Sequence, residues 1–222
     1  LNEKQMIQKA ISHAWICGAD EVIVADGGSD DGTRELVEQC DCRLMTTPPG
    51  RGTQQNVAAQ EATGDVLLFQ HADNWLESRA VEQIRQALEN PNTLGGAFRQ
   101  RIDAPGILYR CLERGNALRV RWLGLPYGDQ GIFMRKATYL ELGGFPEIPL
   151  MEDIALLRRF RRSAWPVLLP GPIHVSARRW QRHGVIRQTI RNWGLSFGFR
   201  LGVSPDRLAR WYGRHDDHAR KK

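Results

Sequence analysis

Apolar residues fall into two patterns along the chain: short continuous runs, and longer stretches in which every third or fourth residue is apolar. The continuous runs predict buried strands, which are expected at Glu21–Ala25, Cys42–Thr46, Asp65–Gln70, Gly95–Ile102, Ile132–Arg135, Trp165–Leu169 and Ile173–Ser176. The other pattern predicts helices, which are expected at Glu3–Gly18, Thr53–Thr63, Glu77–Asn90, Ile107–Leu123 and Val185–Leu201, with others beginning near Ser29, Met151 and Ser204. The chain is therefore expected to form one α/β domain.

The clearest of these strands ends directly in polar side chains. It lies in the stretch GDVLLFQHADN, from Gly64 to Asn74. Open α/β sheets bind their ligands at the carboxyl ends of their strands. Asp73 is therefore a candidate for a metal or phosphate site, and the alternative is that it only caps a helix following Trp75.

Two loops carry further candidates. Asp26 ends the strand EVIVA and precedes two glycines. Because glycines let a ligand approach the backbone, its carboxylate could accept hydrogen bonds from a sugar hydroxyl or a base N–H; a turn aspartate is the alternative. Arg51 lies between two glycines at a helix start, where it could meet a diphosphate, and an ordinary surface arginine is the alternative.

Paired carboxylates open a later helix. Glu152 and Asp153 either interact only with the helix dipole or place one acid in a cleft as a general base with the other as its support. Weaker candidates for holding an acceptor or a phosphate are Glu152 itself, Asp129 in the loop YGDQG, and Arg178 and Arg179 after the last predicted strand.

The positive charge is concentrated near the C-terminal end. The net charge is +6, but residues 178–222 carry 12 Lys and Arg against 3 Asp, or +9, which leaves −3 for the rest. A basic helix in this region predicts an anionic membrane surface as partner, and a helix docked on the core is the alternative. Its apolar stripe consists of Ile186, Ile190, Trp193, Phe197 and Leu201.

Other features narrow the class of protein. No apolar run approaches the roughly 18 residues that span a bilayer, and no signal peptide is visible. We therefore expect a cytoplasmic protein. It would be peripheral at the inner face of the membrane if the basic helix binds there. Nucleic acid is not expected as a partner, because no motif interleaves basic and aromatic residues. Without a zinc spacing, the cysteines are expected to be reduced thiols: Cys17, Cys40, Cys42 and Cys111.

Five motifs follow one another in order: DGGSDDGT at 26–33, Arg51 with Gly52, GDVLLFQHAD at 64–73, GGF at 143–145 and the Glu152–Asp153 pair. In this order and spacing the chain resembles the family 2 glycosyltransferases. The stretches YGDQG and SARRW, at 127–131 and 176–180, resemble a bacterial branch of that family. The resemblance covers the chain to about Tyr212. It implies a GT-A fold with a Rossmann-like, mostly parallel sheet flanked by helices, and transfer of a sugar from a nucleotide-sugar donor to an acceptor hydroxyl with inversion.

The resemblance also implies roles for individual residues. Asp73 corresponds to the last acid of the DxD motif, which holds Mn²⁺ or Mg²⁺ on the donor diphosphate, and His71 is expected to be a second ligand. Asp153 corresponds to the general base. The residues expected on the nucleotide-sugar side are Glu3, Asp26, Arg51 and Asp73. A UDP-sugar is the expected donor, because such donors are frequent in the family.

The chain departs from the family pattern at three places. His71 stands where the first acid of the DxD motif is usual, and it can bind a metal as the neutral imidazole. Gly27 stands where the second acid of a DDGS turn is usual. No strand pattern precedes the first helix, so we expect an unpaired edge or a gap beside the strand at Glu21–Ala25.

One glycosyltransferase domain is expected over residues 1–213, with a nucleotide-binding half to about residue 100, an acceptor half from about residue 101, and a disordered basic tail at 214–222. His71 and the lack of a first strand favour an alternative, a degenerate module that binds a nucleotide sugar or a metal without turnover. The basic C-terminal segment favours another, a polyanion-binding protein. A further alternative is a sugar nucleotidyltransferase, which would be expected to carry a glycine-rich phosphate loop after its first strand. No such strand pattern is seen here, so only the later motifs argue against this enzyme.

Overall fold

The structure, a computed structural model, describes the backbone of residues 1–220 and the side chains of residues 1–213. The strands are β1 Ile23–Asp26, β2 Arg43–Thr46, β3 Val66–Phe69, β4 Asn74–Leu76, β5 Gly95–Ile102, β6 Ile132–Arg135 and β7 Val167–Val175. The helices are α1 Ile7–Ile16, α2 Thr33–Val37, α3 Arg51–Glu61, α4 Ala80–Leu88, α5 Ile107–Leu123, α6 Lys136–Glu141, α7 Glu152–Phe160, α8 Arg178–His183, α9 Val185–Arg200 and α10 Pro205–Arg220.

The strands form two sheets of unequal size. β1 and β2 pair in parallel, and the other strands form a five-stranded sheet in the order β3-β6-β5-β7-β4. In the larger sheet β5 and β7 are parallel, whereas β3 with β6, β5 with β6, and β4 with β7 are antiparallel. The α/β class is confirmed, but the pairing is mixed rather than mostly parallel. A continuous apolar run indicates that both faces of a strand are buried, and it carries no information about strand direction.

Side chains of β6 show how both faces of the large sheet are covered. Ile132 and Met134 belong to a core cluster with α7, whereas Phe133, between them in sequence, belongs to a second cluster with α4. Successive strand residues point to opposite faces. β6 is therefore buried on both sides, which fixes the position of the loop that precedes it.

A wide gap separates β1 from the large sheet. Among residues 1–220, β1 pairs only with β2, and β3 pairs only with β6. Between them lies a cavity of about 940 Å³, here called the large cavity, whose walls include Ile7 and Ile11 of α1 and Ala58 and Ala59 of α3. The gap expected beside the strand at Glu21–Ala25 is therefore present.

Several elements differ from the sequence pattern. Asn74–Leu76 forms a strand that the sequence pattern does not predict, because it pairs with β7 and places Trp75 opposite His174. β7 is one strand rather than two, and its register with β5 shifts between Phe98 and Gln100. The short helices α6 and α8 are not predicted by the apolar pattern, because neither is long enough to show a clear period.

The last helix continues into the segment for which the sequence predicts a disordered tail. α10 extends to Arg220. The side chains after Gly213, and residues 221 and 222, lie outside the described residues, so the disorder of the tail stays a prediction. Within residues 1–220, no helix combines the length and the apolar character that crossing a bilayer requires.

Candidate functional site

Several segments of the fold meet around a second cavity. They include the carboxyl end of β3, the 3₁₀ turn Gly128–Gln130 and the start of α7, and the cavity has a volume of about 140 Å³. We call it the small cavity. Six of the side chains predicted from the sequence line it: Arg51, His71, Asp73, Asp129, Asp153 and Arg179.

A buried asparagine connects two of these segments. The amide Nδ2 of Asn74 donates to the backbone carbonyl of Asp129 over 2.9 Å, and the backbone N–H of Asn74 donates to the carbonyl of His71 over 3.1 Å. Gln100 on β5 donates to the same Asp129 carbonyl over 3.4 Å. The large sheet therefore fixes both loops of the site through hydrogen bonds.

Asp153 is held by backbone donors at the start of α7. The N–H of Gly128 donates to its Oδ2 over 2.7 Å, and the N–H of Ile154 donates to its Oδ1 over 2.7 Å. A Cβ on residue 128 would lie 2.9 Å from His71 Nε2 and 3.4 Å from Asp153 Oδ2. The glycine therefore lets the imidazole and the carboxylate approach the same point of the backbone.

Arg51 and Glu152, 101 residues apart, form a two-pronged ion pair. Arg51 Nε lies 2.9 Å from Glu152 Oε1, and Nη2 donates to Oε2 over 3.2 Å. The Glu152 side chain is 3% exposed and that of Arg51 44%. Burial raises the pKa of Glu152 to about 7 although Arg51 opposes the shift. Glu152 thus positions Arg51, and it is not among the residues that line the small cavity.

His71 and Asp129 interact electrostatically across the site. Burial and the neighbouring charge of Arg51 lower the pKa of His71, and the carboxylates of Asp73 and Asp129 oppose that shift. Burial likewise raises the pKa of Asp129 against the influence of His71 and Arg119. The Oδ1 atom of Asp129 is buried and accepts no hydrogen bond from the described residues. The site therefore favours a neutral imidazole, which is the form that binds metals.

Arg119 on α5 supports the site without lining the small cavity, and the sequence analysis missed it. Its guanidinium lies 3.2 Å from the ring centre of Tyr127, Nη2 donates to Gln130 over 2.5 Å, and Nε donates to the carbonyl of Leu125 over 3.0 Å. These contacts fix the loop that carries Asp129. Because all of them are tertiary, no spacing in the sequence indicates them.

Two of the four residues expected on the nucleotide side, Asp26 and Glu3, do not line the small cavity. Asp26 accepts hydrogen bonds within its own loop, from the N–H groups of Gly28 and Ser29 over 2.9 Å and from the Ser29 hydroxyl over 2.5 Å. Burial would raise its pKa, but these hydrogen bonds together lower it. Glu3 lines the large cavity and accepts a hydrogen bond from Arg178 over 2.6 Å. Arg178, a weak candidate for the acceptor side, is thus placed beside Glu3.

A divalent cation fits part of this arrangement. Among residues 1–213, whose side chains the structure describes, no group of three or more His, Cys, Asp or Glu side chains forms a ready cation site. His71 and Asp73 nevertheless line both cavities, and an imidazole with a carboxylate suits Mn²⁺. Because ions such as Mg²⁺ are commonly held by one or two carboxylates together with substrate phosphates, two protein ligands are a sufficient set.

Solved structures identify the fold. S. aureus TarS 1–349 superposes with a TM-score of 0.61 at 16% identity, covering 79% of this chain and 58% of that one. The mannosyltransferase PcManGT from Pyrobaculum calidifontis, in complex with GDP-Man and Mn²⁺, superposes with a TM-score of 0.57 at 16% identity, covering 92% of this chain and 63% of that one. At these identities the likeness shows the fold alone, which is that of a GT-A glycosyltransferase.

The family follows from the sequence itself. The Glycosyl transferase family 2 model matches residues 1–141, which is more than half of the chain, and the chain belongs to that family. An uncharacterized glycosyltransferase of Bacillus subtilis (strain 168), YfnE, is 39% identical over 90 residues. That match covers 37% of this chain and 23% of YfnE, so the chain spans less than a quarter of this relative.

Proposed function

We propose that this chain transfers a glycosyl group from a UDP-sugar to an acceptor hydroxyl, with inversion at the anomeric carbon and with the help of a divalent cation. The observation that carries the proposal is the convergence of Asp153, the His71–Asp73 pair and Arg51 on one cavity. Membership of family 2 supports the reaction class. TarS, similar in fold at a TM-score of 0.58 and 17% identity, was solved with UDP-GlcNAc, and PcManGT was solved with GDP-Man and Mn²⁺, so a nucleotide-sugar donor is supported and UDP is chosen on its frequency in the family.

Asp153 is the proposed general base. As the acceptor oxygen attacks the anomeric carbon, its proton passes to the Asp153 carboxylate, and the bond between the sugar and the diphosphate oxygen breaks with its electron pair on the diphosphate. The backbone donors that hold both oxygens of Asp153 keep it oriented toward the cavity. Attack opposite the departing diphosphate gives inversion.

The proposed donor side lies where His71, Asp73 and Arg51 meet. His71 and Asp73 would hold Mn²⁺ or Mg²⁺, which supplies a Lewis acid that neutralises the charge developing on the diphosphate. Arg51 lies at the N-terminus of α3 with its guanidinium oriented by Glu152. Because an oriented guanidinium costs little further ordering on binding, Arg51 is suited to contact a phosphate oxygen.

The proposal is tested by measuring thermal stability with UDP-, GDP-, dTDP- and CMP-sugars, with and without Mn²⁺. A ligand at 100 times its dissociation constant stabilises the folded chain by about 2.7 kcal/mol. We expect UDP-sugars to raise the melting temperature in a Mn²⁺-dependent way, and Asp73→Asn to abolish the increase. Asp103→Asn, the same change at an exposed position after β5, is the matched control. Equal responses of wild type and Asp73→Asn would contradict the cation assignment.

A second candidate is a module that binds a nucleotide sugar without turning it over. His71 favours it, because an imidazole in place of a carboxylate leaves the cation site less anionic. Donor binding without any release of nucleoside diphosphate would support this second candidate, whereas release that depends on Asp153 would exclude it.

A further inference from the structure

The outer face of α9 carries a continuous apolar stripe that the fold leaves uncovered. Its five large side chains recur at helical spacing and are between 59% and 70% exposed. They are Ile186, Ile190, Trp193 and Phe197 of α9, and Leu201 directly after it. Exposed apolar patches of this kind mark interaction surfaces.

The opposite face of the same helix belongs to the candidate site. Gln188, Leu195 and Ser196 are buried, and together with Asn192 they line the small cavity. The hydroxyl of Ser196 lies 2.9 Å from that of Tyr127, in the loop that carries Asp129. The inner face of this helix therefore lines the site, whereas the large apolar side chains of its outer face are more than half exposed.

Charge around the stripe is entirely positive on α9. With 3.6 residues per turn, Arg187 and Arg200 lie on the two sides of the stripe, and both are exposed. α9 contains no Asp or Glu, and residues 178–222 carry a net charge of +9. Arginine side chains placed beside an apolar stripe can rest their stems on it and extend their charged ends to phosphate groups.

We propose that α9 docks this chain on an anionic lipid surface. The stripe would enter the boundary between headgroups and acyl chains, with Trp193 and Phe197 at its centre, while Arg187 and Arg200 contact lipid phosphates. An exposed apolar face with Trp, Phe and Leu, bordered by arginines, is typical of helices that lie in the interface plane. The absence of acids on α9 favours an anionic surface, since no carboxylate is repelled by it. Docking requires neither donor nor turnover, so it stands independently of the proposed function.

Sedimentation with vesicles tests the proposal on the full chain. We expect binding to vesicles of equimolar phosphatidylcholine and phosphatidylserine, weak binding to phosphatidylcholine alone, and weakening by salt. The double variant Trp193→Ser, Phe197→Ser should lower partitioning by more than about tenfold, because two large apolar side chains no longer leave water. Changing Arg187 and Arg200 to Gln should lower it about fivefold for each arginine.

Matched controls separate docking from general effects on the surface. Ile16→Ser with Leu140→Ser removes two exposed apolar side chains elsewhere, on α1 and α6, and should leave partitioning unchanged. Equal partitioning of the stripe variant and this control would overturn the proposal. A second outcome would also overturn the proposal: the wild type fails to bind vesicles and forms a dimer, and the stripe variant is a monomer. In that case a second copy of the chain would cover the stripe. Melting temperatures confirm that all variants fold.

Discussion

The buried Glu152 gives the free energy of unfolding a pH dependence that a single substitution should remove. Its carboxyl has a pKa of about 7 in the folded chain against an ordinary value of 4.5. Between these values the unfolded chain has lost the Glu152 proton while the folded chain retains it. Stability from this group is therefore fully present below about pH 4.5 and is lost as the pH rises through 7.

The magnitude follows from the size of the shift. Each pKa unit corresponds to about 1.36 kcal/mol, so a shift from 4.5 to about 7 corresponds to a loss on the order of 3 kcal/mol between pH 4.5 and pH 8. Glu152→Gln keeps the side-chain shape and one acceptor for Arg51 but has no proton to lose. The free energy of unfolding of the wild type, relative to that of the variant, should thus fall steadily across this range.

Urea denaturation followed by tryptophan fluorescence at a series of pH values measures this difference. Glu147→Gln removes an exposed glutamate from the segment just before α7 and should give a curve parallel to that of the wild type. If the curves of wild type and Glu152→Gln were themselves parallel from pH 5 to pH 8, Glu152 would not be desolvated as the structure shows, and the reasoning would be refuted.

Two further substitutions test the geometry of the site and its support. Gly128→Ala places a methyl group 2.9 Å from His71 Nε2. It should therefore weaken the Mn²⁺-dependent stabilisation by a UDP-sugar at least several-fold, while circular dichroism shows that the fold is kept. An unchanged Mn²⁺ response would show that His71 is not a ligand. Tyr139→Phe removes the donor that lies 2.5 Å from Asn56 Oδ1 beneath the turn at Phe145. Because Asn56 Oδ1 still accepts from the Phe145 N–H, the change should cost about 0.5–1.5 kcal/mol in urea denaturation. A cost near zero would show that this hydrogen bond is replaced.

Much of the site could be predicted because its residues follow a strand or begin a helix, and both features are recognisable from a few neighbouring residues. The apolar run of β3 ends in His71 and Asp73, and Asp153 opens α7, so each carries its signal within a few residues. The structure brings all three to the small cavity. The roles of these side chains remain predictions, since position alone does not establish chemistry.

What could not be predicted depends on contacts between distant residues. The pairing of Arg51 with Glu152 and the stacking of Arg119 on Tyr127 join separate segments, and neither has a periodic signature. β4 is a strand only because β7 lies beside it, and its three residues are too few for a pattern. Strand direction in the large sheet is similarly set by topology, because buried runs look alike whichever way they point.

The most direct test of the central claim is release of nucleoside diphosphate from the donor that the stability measurements select. Release is measured with water and then with a panel of alcohols and alkyl glycosides as acceptors, for wild type and Asp153→Asn. We expect metal-dependent release by the wild type and a decrease of about 10²–10⁴-fold in the variant, because a positioned general base contributes that much, with donor-induced stabilisation preserved. Equal rates for the two proteins, or donor binding with no release for any acceptor, would contradict the claim.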